Sequence, residues 1–434
     1  MMHVWVIKTG GPVPYLPDEI GERLFRAGQF DAALRAAGHT SVWFSSQFEH
    51  KRKVQRDVPV NQLWQPSPDA PQMVFLASCS YRRNISMARF ISHWQLRRAF
   101  EAQTKNLAKP DVIFCAYPTL DLAAAAVAYG KAQGIPVVLD IRDLWPDVIY
   151  ERLQATPVIG RFVPRNWLIP YERMARFAVQ NAAAITGVAT GMVTWAQERF
   201  DRPAAACLPD KGIYQSQPDI VLTDTQIIAS RAFWADQGIT LDSDVTRFVW
   251  AGSIVPTTDG TTLLAALPHI PKALHDKIEI VVCGTGSQAA LFAAAAKTYP
   301  FLKVSGWVAH TYLIALLQNA DVGLMCYLDR FDFQRSIPNK VVDYTAAGLR
   351  IVTGVQGEIT RLTAGTDVVI PYAVGDAESL AQALVASCRR SPARVPNAAA
   401  QTLFRTHFDA AQVLPRFVRY LEEIAVVVKS PKSP

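Results

Sequence analysis

The sequence is short of the features that mark several large protein classes. No stretch approaches the roughly 18 consecutive apolar residues that a membrane-spanning helix needs. The six cysteines, Cys79, Cys115, Cys207, Cys283, Cys326 and Cys388, have none of the paired spacing of a metal site. Three of them, Cys115, Cys283 and Cys326, sit inside apolar runs, so buried, reduced thiols in a cytoplasmic protein are expected. The histidines also lack zinc-type spacing, and no metal site and no cofactor are expected. No complete GxGxxG fingerprint is present, which withholds an inference of NAD binding. Short-period repeats are absent as well. The opening, Met1 to Lys8, has neither the basic flank nor the cleavage site of a signal peptide. It reads as a first strand, in a chain expected to stay where it is made.

What is present is bulk and rhythm. Half of the 434 residues are hydrophobic, enough for two domains of about 200 residues each. Short apolar runs alternate with helix-length segments, as in parallel α/β folds. In the first half the runs are His3–Thr9, Thr40–Ser45, Met73–Ala77, Val112–Cys115, Pro136–Asp140 and Ala184–Val188. A helix over Gly28–Ala37 stops at Gly38, and the following His39 reads as structural. In the second half the runs are Arg247–Gly252, Ile278–Cys283, Leu302–Val304, Asp321–Cys326, Arg350–Thr353 and Asp367–Ile370, and a long final helix covers Ala410–Val427. Between the halves the rhythm fails around Pro203, Pro209 and Pro218. The expected organisation is a Rossmann-like domain over 1–205 and a linker over 206–245. A second Rossmann-like domain over 246–408 follows, then a C-terminal helix and tail over 409–434. Ligands of doubly wound sheets sit beyond the carboxyl ends of the strands, so two such halves predict one interdomain cleft.

The charge is uneven. The net value is +7, and the segment Lys51–Pro110 alone holds eleven basic against three acidic residues. A local basic excess implies an anionic partner. Within it Met87, Phe90, Ile91 and Trp94 fall at i, i+3, i+4 and i+7, flanked by Arg89, Arg97 and Arg98. The stripe is either a core-facing surface or an interfacial membrane helix.

The strongest local signal runs from Ser336 to Gly348, SIPNKVVDYTAAG. Pro338 suits a first helical turn and Gly348 a helix end. Lys340 in the first turn opposes the helix dipole unless an anion is present, and Asp343 lies three residues on, on the same side. An ordinary capped surface helix is the alternative. Gly284-Thr285-Gly286 after a strand would let a nucleotide approach the backbone, or make a plain turn. The run Asp140-Ile141-Arg142-Asp143-Leu144-Trp145-Pro146-Asp147 ends a strand with three carboxylates, an Arg and a Trp. It suits a cleft wall that binds hydroxyls or supplies a base, or a salt-bridge network.

Together these segments resemble the family 4 bacterial glycosyltransferases that build surface polysaccharides. The likeness runs through Val4–Pro14 with Arg26–Gly28, Gly38–His39, Trp43–His50, Ile91–Phe100, Pro110–Leu120 and Asp140–Asp147. It continues through Ala251–Gly252, Cys283–Gly286, Gly306–Val308, Ser336–Gly348 and Gly357–Glu358. The resemblance implies a GT-B fold, two facing Rossmann-like domains. It implies that Gly252, Ser253, Gly284, Gly286, Trp307, Val308, Asn339, Lys340 and Asp343 bind the donor. Of these, Gly306–Val308 would meet the base, Asp343 the ribose hydroxyls, and Lys340 with the helix N-terminus the diphosphate. Gly10, Gly11, His50 and Asp140 would bind the acceptor, and Arg142, Asp143 and Arg335 would be catalytic. Two departures stand out. Ser253 and Asp259 occupy places where the family has Arg and Lys, and Arg335 replaces a Glu eight residues before Asp343. Either Arg335 compensates or activity is reduced.

The resemblance implies metal-independent transfer, retaining in its stereochemistry. The sugar would be an N-acetylated hexosamine, moved from a UDP-linked donor to a lipid-linked or saccharide acceptor. The protein is expected at the inner face of the membrane, held to anionic lipid by residues 51–110, with no nucleic-acid partner. A sugar-nucleotide epimerase of the same fold, or a non-catalytic sugar-nucleotide-binding protein, are the competing readings.

Overall fold

The computed structural model describes residues 1–19, 24–84, 86–154, 168–203, 209–389 and 393–429. The chain divides into two compact units, Met1–Tyr214 with Val413–Pro434, and Gln215–Gln412. Cys207 and part of the expected linker lie outside the described residues.

The first unit is built on strands β1 (His3–Ile7), β2 (Thr40–Ser46), β3 (Phe48–Glu49), β4 (Val54–Gln55), β5 (Leu63–Trp64), β6 (Gln72–Leu76), β7 (Val112–Tyr117), β8 (Val137–Ile141), β9 (Ala184–Gly187) and β10 (Lys211–Gly212). Its main sheet has the order β10-β9-β8-β7-β1-β2-β6-β5, and only β5 runs antiparallel to its neighbour. The central strands are buried on both faces, which is why each reads as an unbroken apolar run. Helices cover both faces, and the core holds Val4, Val6, Phe30, Phe75, Phe114 and Val138. The helix Ala410–Lys429 begins in the second unit, and from Val413 onward it belongs to the first. There Phe417 stacks on Phe30 at 3.6 Å between ring centroids. His39 accepts from the Met2 N–H and pairs with Glu422, the structural role expected of it.

The second unit is built on β11 (Thr246–Ala251), β12 (Ile278–Cys283), β13 (Leu302–Gly306), β14 (Val322–Met325), β15 (Arg350–Thr353) and β16 (Val369–Pro371), all parallel, in the order β13-β12-β11-β14-β15-β16. Phe248, Trp250, Ile280, Val282 and Leu324 lead its core. Both units are therefore Rossmann-like α/β layers. Residues within the expected linker carry structure of their own. Lys211–Gly212 extends the first sheet, and Asp224–Asp236 is a helix closed by a Thr223/Gln226 capping box. That helix buries little beyond Ser230 and Trp234, so it gives no periodic apolar signal.

Cys115, Cys283 and Cys326 are buried as expected, Cys79 and Cys388 are half-buried, and all five are free thiols. No described helix is long and apolar enough to cross a membrane.

Candidate functional site

In each sheet the strand order reverses beside one central strand. At such a switch point neighbouring loops diverge and leave a crevice at the carboxyl ends. In the first unit the reversal lies between β1 and β7. A cavity of about 290 Å³ opens there, lined by Lys8, Thr9 and Gly10 after β1 and by Pro118 and Thr119 after β7. The Thr9 and Thr119 hydroxyls are 3.3 Å apart and join the two strand ends.

The remaining walls come from the end of β2 (Ser46), the segment after β6 (Ser78 and Tyr81) and three further places. The β3–β4 hairpin brings in His50, whose Nδ1 lies 2.7 Å from the Tyr81 hydroxyl and 3.2 Å from Lys53 Nζ. After β8 come Arg142 and Asp143. The helix Met87–Gln103, started by the Ser86 side chain accepting from the Arg89 N–H, supplies Arg89, Ser92, His93 and Leu96. Their i, i+3, i+4, i+7 spacing puts them on one face. The expected Met87–Trp94 stripe thus marks the wrong face for the interior. Met87, Ile91 and Trp94 are 63, 48 and 56% exposed. Phe90 packs edge-on against Tyr171, and Arg89, expected at the stripe's margin, turns into the cavity.

The three carboxylates at and after the end of β8 separate by role. Asp140 is buried, binds Arg26 through both oxygens at 2.7 and 2.8 Å, and accepts from Thr186. It does not line the cavity. Asp147 holds Arg199 and the Trp195 indole. Asp143 alone lines the cavity, with Oδ1 accepting from the Leu144 N–H and Oδ2 from the Trp145 indole. Gly10 abuts His50, whereas the Gly11 carbonyl accepts from Arg56 and points elsewhere.

Burial, reinforced by crowded cations, sets the protonation of this cavity. Burial, then the charges of Arg142 and Arg89, push the Lys8 amine down to about 7. Burial, then Arg89, lowers His50 to about 4 and His93 to about 3. An imidazole whose folded pKa lies below its unfolded value binds fewer protons when folded, so stability falls as pH drops through that window. The melting temperature should therefore fall by several degrees between pH 6.5 and 4. The double variant His50→Gln/His93→Gln should flatten that fall, and a slope identical to wild type would show that other groups control it.

In the second unit the reversal lies between β11 and β14. The loops after β11 and β12 touch here: a Cβ on Gly284 would stand 1.8 Å from the Gly252 carbonyl oxygen, so only glycine fits. Lys340 comes up beneath this contact from the helix Asn339–Ala346. Its amine would lie 3.7 Å from a Cβ on Gly252, and it stands over the rings of Trp250 and Tyr327 at 5.1 and 4.5 Å. The amine is buried with no hydrogen-bond partner among the described residues. Burial pushes it down to about 8, against the pull of Cys326 and Asp343. Pro338 is the residue before the helix, not within its first turn, and no side chain caps that end.

The other expected donor residues divide. Gly252 lies beside Lys340 with Gly284 against it, Gly286 packs on the Ile254 carbonyl, and Trp307 and Val308 follow Gly306, whose carbonyl accepts from the Gly284 N–H. Ser253 and Asn339 are exposed. Asp343 lines a separate recess of about 30 Å³ with His310 and Gln217. Arg335 ends a short helix with its guanidinium stacked on Phe331 at 4.1 Å. Asp259 is buried, accepting from the Tyr372 hydroxyl and the Gly375 N–H. No group of three or more His, Cys, Asp or Glu placed to hold a metal ion occurs among the described residues.

Residues 26–209 match the family model described as a glycosyl transferase 4-like domain, and residues 245–389 the one described as glycosyl transferases group 1. The chain is thus a glycosyltransferase of the group 1 and 4-like type. Solved structures agree on the fold. The chain is similar to a sucrose-phosphate synthase from Thermosynechococcus elongatus, at 14% identity over 98% of this chain and 100% of that chain, TM-score 0.69. It is similar to Anabaena HepE in complex with UDP, at 11% identity over 97% and 100%, TM-score 0.63. It is also similar to a UDP-forming trehalose-phosphate synthase from Burkholderia xenovorans in complex with glucose-6-phosphate, at 12% identity over 98% and 100%, TM-score 0.66. At such identities the likeness speaks to the GT-B fold. No curated protein matches the sequence.

Proposed function

We propose that the second unit binds a UDP-linked sugar, an N-acetylated hexosamine, and that the first unit binds the lipid-linked or saccharide acceptor that receives it during surface-polysaccharide synthesis. The observation that carries this reading is Lys340, a buried cation without a hydrogen-bond partner among the described residues, at the switch point of a Rossmann-like sheet. A diphosphate is the ligand that such a cation and an uncapped helix start would together stabilise. Neutralised there, UDP becomes an adequate leaving group without a metal, and the family resemblance favours retention at the anomeric carbon. On the acceptor side Asp143 would take the hydrogen bond, then the proton, of the attacking hydroxyl.

Incubation with UDP-sugars, followed by NMR, tests the reading. Transfer should require an added acceptor and keep the anomeric configuration. Interconversion of the donor alone would make the protein an epimerase, and UDP binding without turnover would make it a binding protein.

We further propose that the protein works at the inner membrane face. Support comes from the exposed Met87, Ile91 and Trp94, which share one helix face with exposed Arg98, while Arg82 and Arg83 lie just upstream. The basic excess here is smaller than the count suggested, since Arg56 is buried against Glu19 and Arg52 pairs with Glu19 and Glu49. Each basic residue near an anionic leaflet contributes about 1 kcal/mol. Arg82→Glu/Arg83→Glu/Arg98→Glu should therefore cut co-sedimentation with phosphatidylglycerol vesicles roughly a hundred-fold at low salt. Equal sedimentation of variant and wild type, or no binding by either, would remove the membrane from the proposal.

A further inference from the structure

The first unit's cavity is charged beyond what a neutral sugar could satisfy. Lys8, Arg89 and Arg142 line it together, and Asp143 is the single carboxylate among its lining residues. Lys8 and Arg142 form no ion pair with any carboxylate among the described residues; the Lys8 amine donates only to the Thr9 carbonyl at 2.6 Å. Asp140, the next carboxylate along the chain, is already bound by Arg26 and Thr186.

Two buried donors point to the same ligand chemistry. The His93 Nε2 accepts from Arg89 Nε at 3.3 Å, so the ring hydrogen sits on Nδ1. That Nδ1 and the Ser78 hydroxyl both lack a hydrogen-bond partner, and both residues line the cavity at 4 and 7% exposure. A buried polar group left unmatched costs about 1–3 kcal/mol. Cations without an ion-paired carboxylate and orphaned donors around one cavity describe an oxyanion with several acceptor atoms.

We propose that this cavity seats a phosphoryl group, so that the acceptor is itself phosphorylated, either a sugar phosphate or a saccharide on a lipid diphosphate. The proposal rests on reading the first unit as the acceptor domain, and it narrows the acceptor class. An anion here would also offset the cationic repulsion that adds to burial in depressing the Lys8 and imidazole pKa values, so its binding should draw protons from the buffer.

Calorimetry on the full chain, saturated with UDP, tests this without any transfer reaction. The probes are inorganic phosphate, glucose 6-phosphate, farnesyl diphosphate and glucose. Glucose 6-phosphate or farnesyl diphosphate should bind at least tenfold more tightly than glucose, and whichever binds more tightly names the source of the phosphoryl group. Arg142→Gln and Lys8→Gln should each weaken the preferred probe at least tenfold, Arg142→Lys less so, with UDP affinity unchanged. Glucose binding as tightly as its phosphate, no binding of any phosphate probe, or binding indifferent to both substitutions would overturn the assignment. Phosphate binding without sugar transfer would instead overturn the transferase reading and leave the cavity's chemistry standing.

Discussion

Replacing Lys340 by methionine is expected to raise the melting temperature and to weaken UDP binding by roughly ten- to a hundred-fold. The two effects have one cause. The amine is buried without a hydrogen-bond partner, and its pKa is pushed down to about 8. Its ring contacts with Trp250 and Tyr327 offset part of the cost of that burial, about 2 kcal/mol or more for a desolvated contact. The downward shift follows from burial, which outweighs the nearby Cys326 and Asp343 charges. Methionine keeps the length and the packing on both rings and removes the buried charge. What it cannot supply is the charge-assisted bond to a diphosphate, about 1.5–3 kcal/mol. UDP should also raise the Lys340 pKa, so wild-type affinity should decline above pH 8 and the variant's should not. Calorimetry and thermal melts read both effects. A variant that keeps its UDP affinity would remove Lys340 from the donor site, and one that melts several degrees lower would show that the charge stabilises the fold.

The fold was legible because both sheets are parallel and covered on two faces. Such strands are unbroken apolar runs, and Ile278–Cys283 and Arg350–Thr353 stand where the runs begin and end. The site was legible only in part. Lys340 betrays itself locally, as a cation in a first helical turn. The cavity residues Arg89, Ser92 and His93 do not, because apolar periodicity draws the eye to the opposite face of their helix. They carry a signal of their own, polar residues at i, i+3 and i+4 after a serine cap. Asp259 could not be read from its neighbours at all. It looks like a lost phosphate cation, yet its carboxylate ties the helix start at Gly260 to Tyr372, 113 residues away. The three carboxylates at and after the end of β8 are alike in sequence, and only their distant partners Arg26 and Arg199 sort them.

The same sorting makes Asp143→Asn the sharpest test of the acceptor side. General-base assistance contributes typically 10²–10⁴-fold, so transfer should fall by about that factor, with UDP affinity intact. Asparagine is not a silent replacement, however. Both carboxylate oxygens of Asp143 accept hydrogen bonds, one from the Leu144 N–H at 2.9 Å and one from the Trp145 indole at 3.1 Å. An amide can satisfy one of them and must turn its own N–H₂ toward the other donor. The indole also stacks under Arg89, 4.6 Å from the ring centroid, so a clash there could shift the cavity wall and imitate a chemical loss. The double variant Asp143→Asn/Trp145→Phe separates these causes. Phenylalanine keeps an aromatic face for Arg89 and removes the opposing N–H. If Asp143 only anchors the loop, the second substitution relieves the clash and restores much of the lost rate. If the carboxylate takes the acceptor's proton, the double variant stays as slow as Asp143→Asn, while Trp145→Phe alone retains most of the wild-type rate.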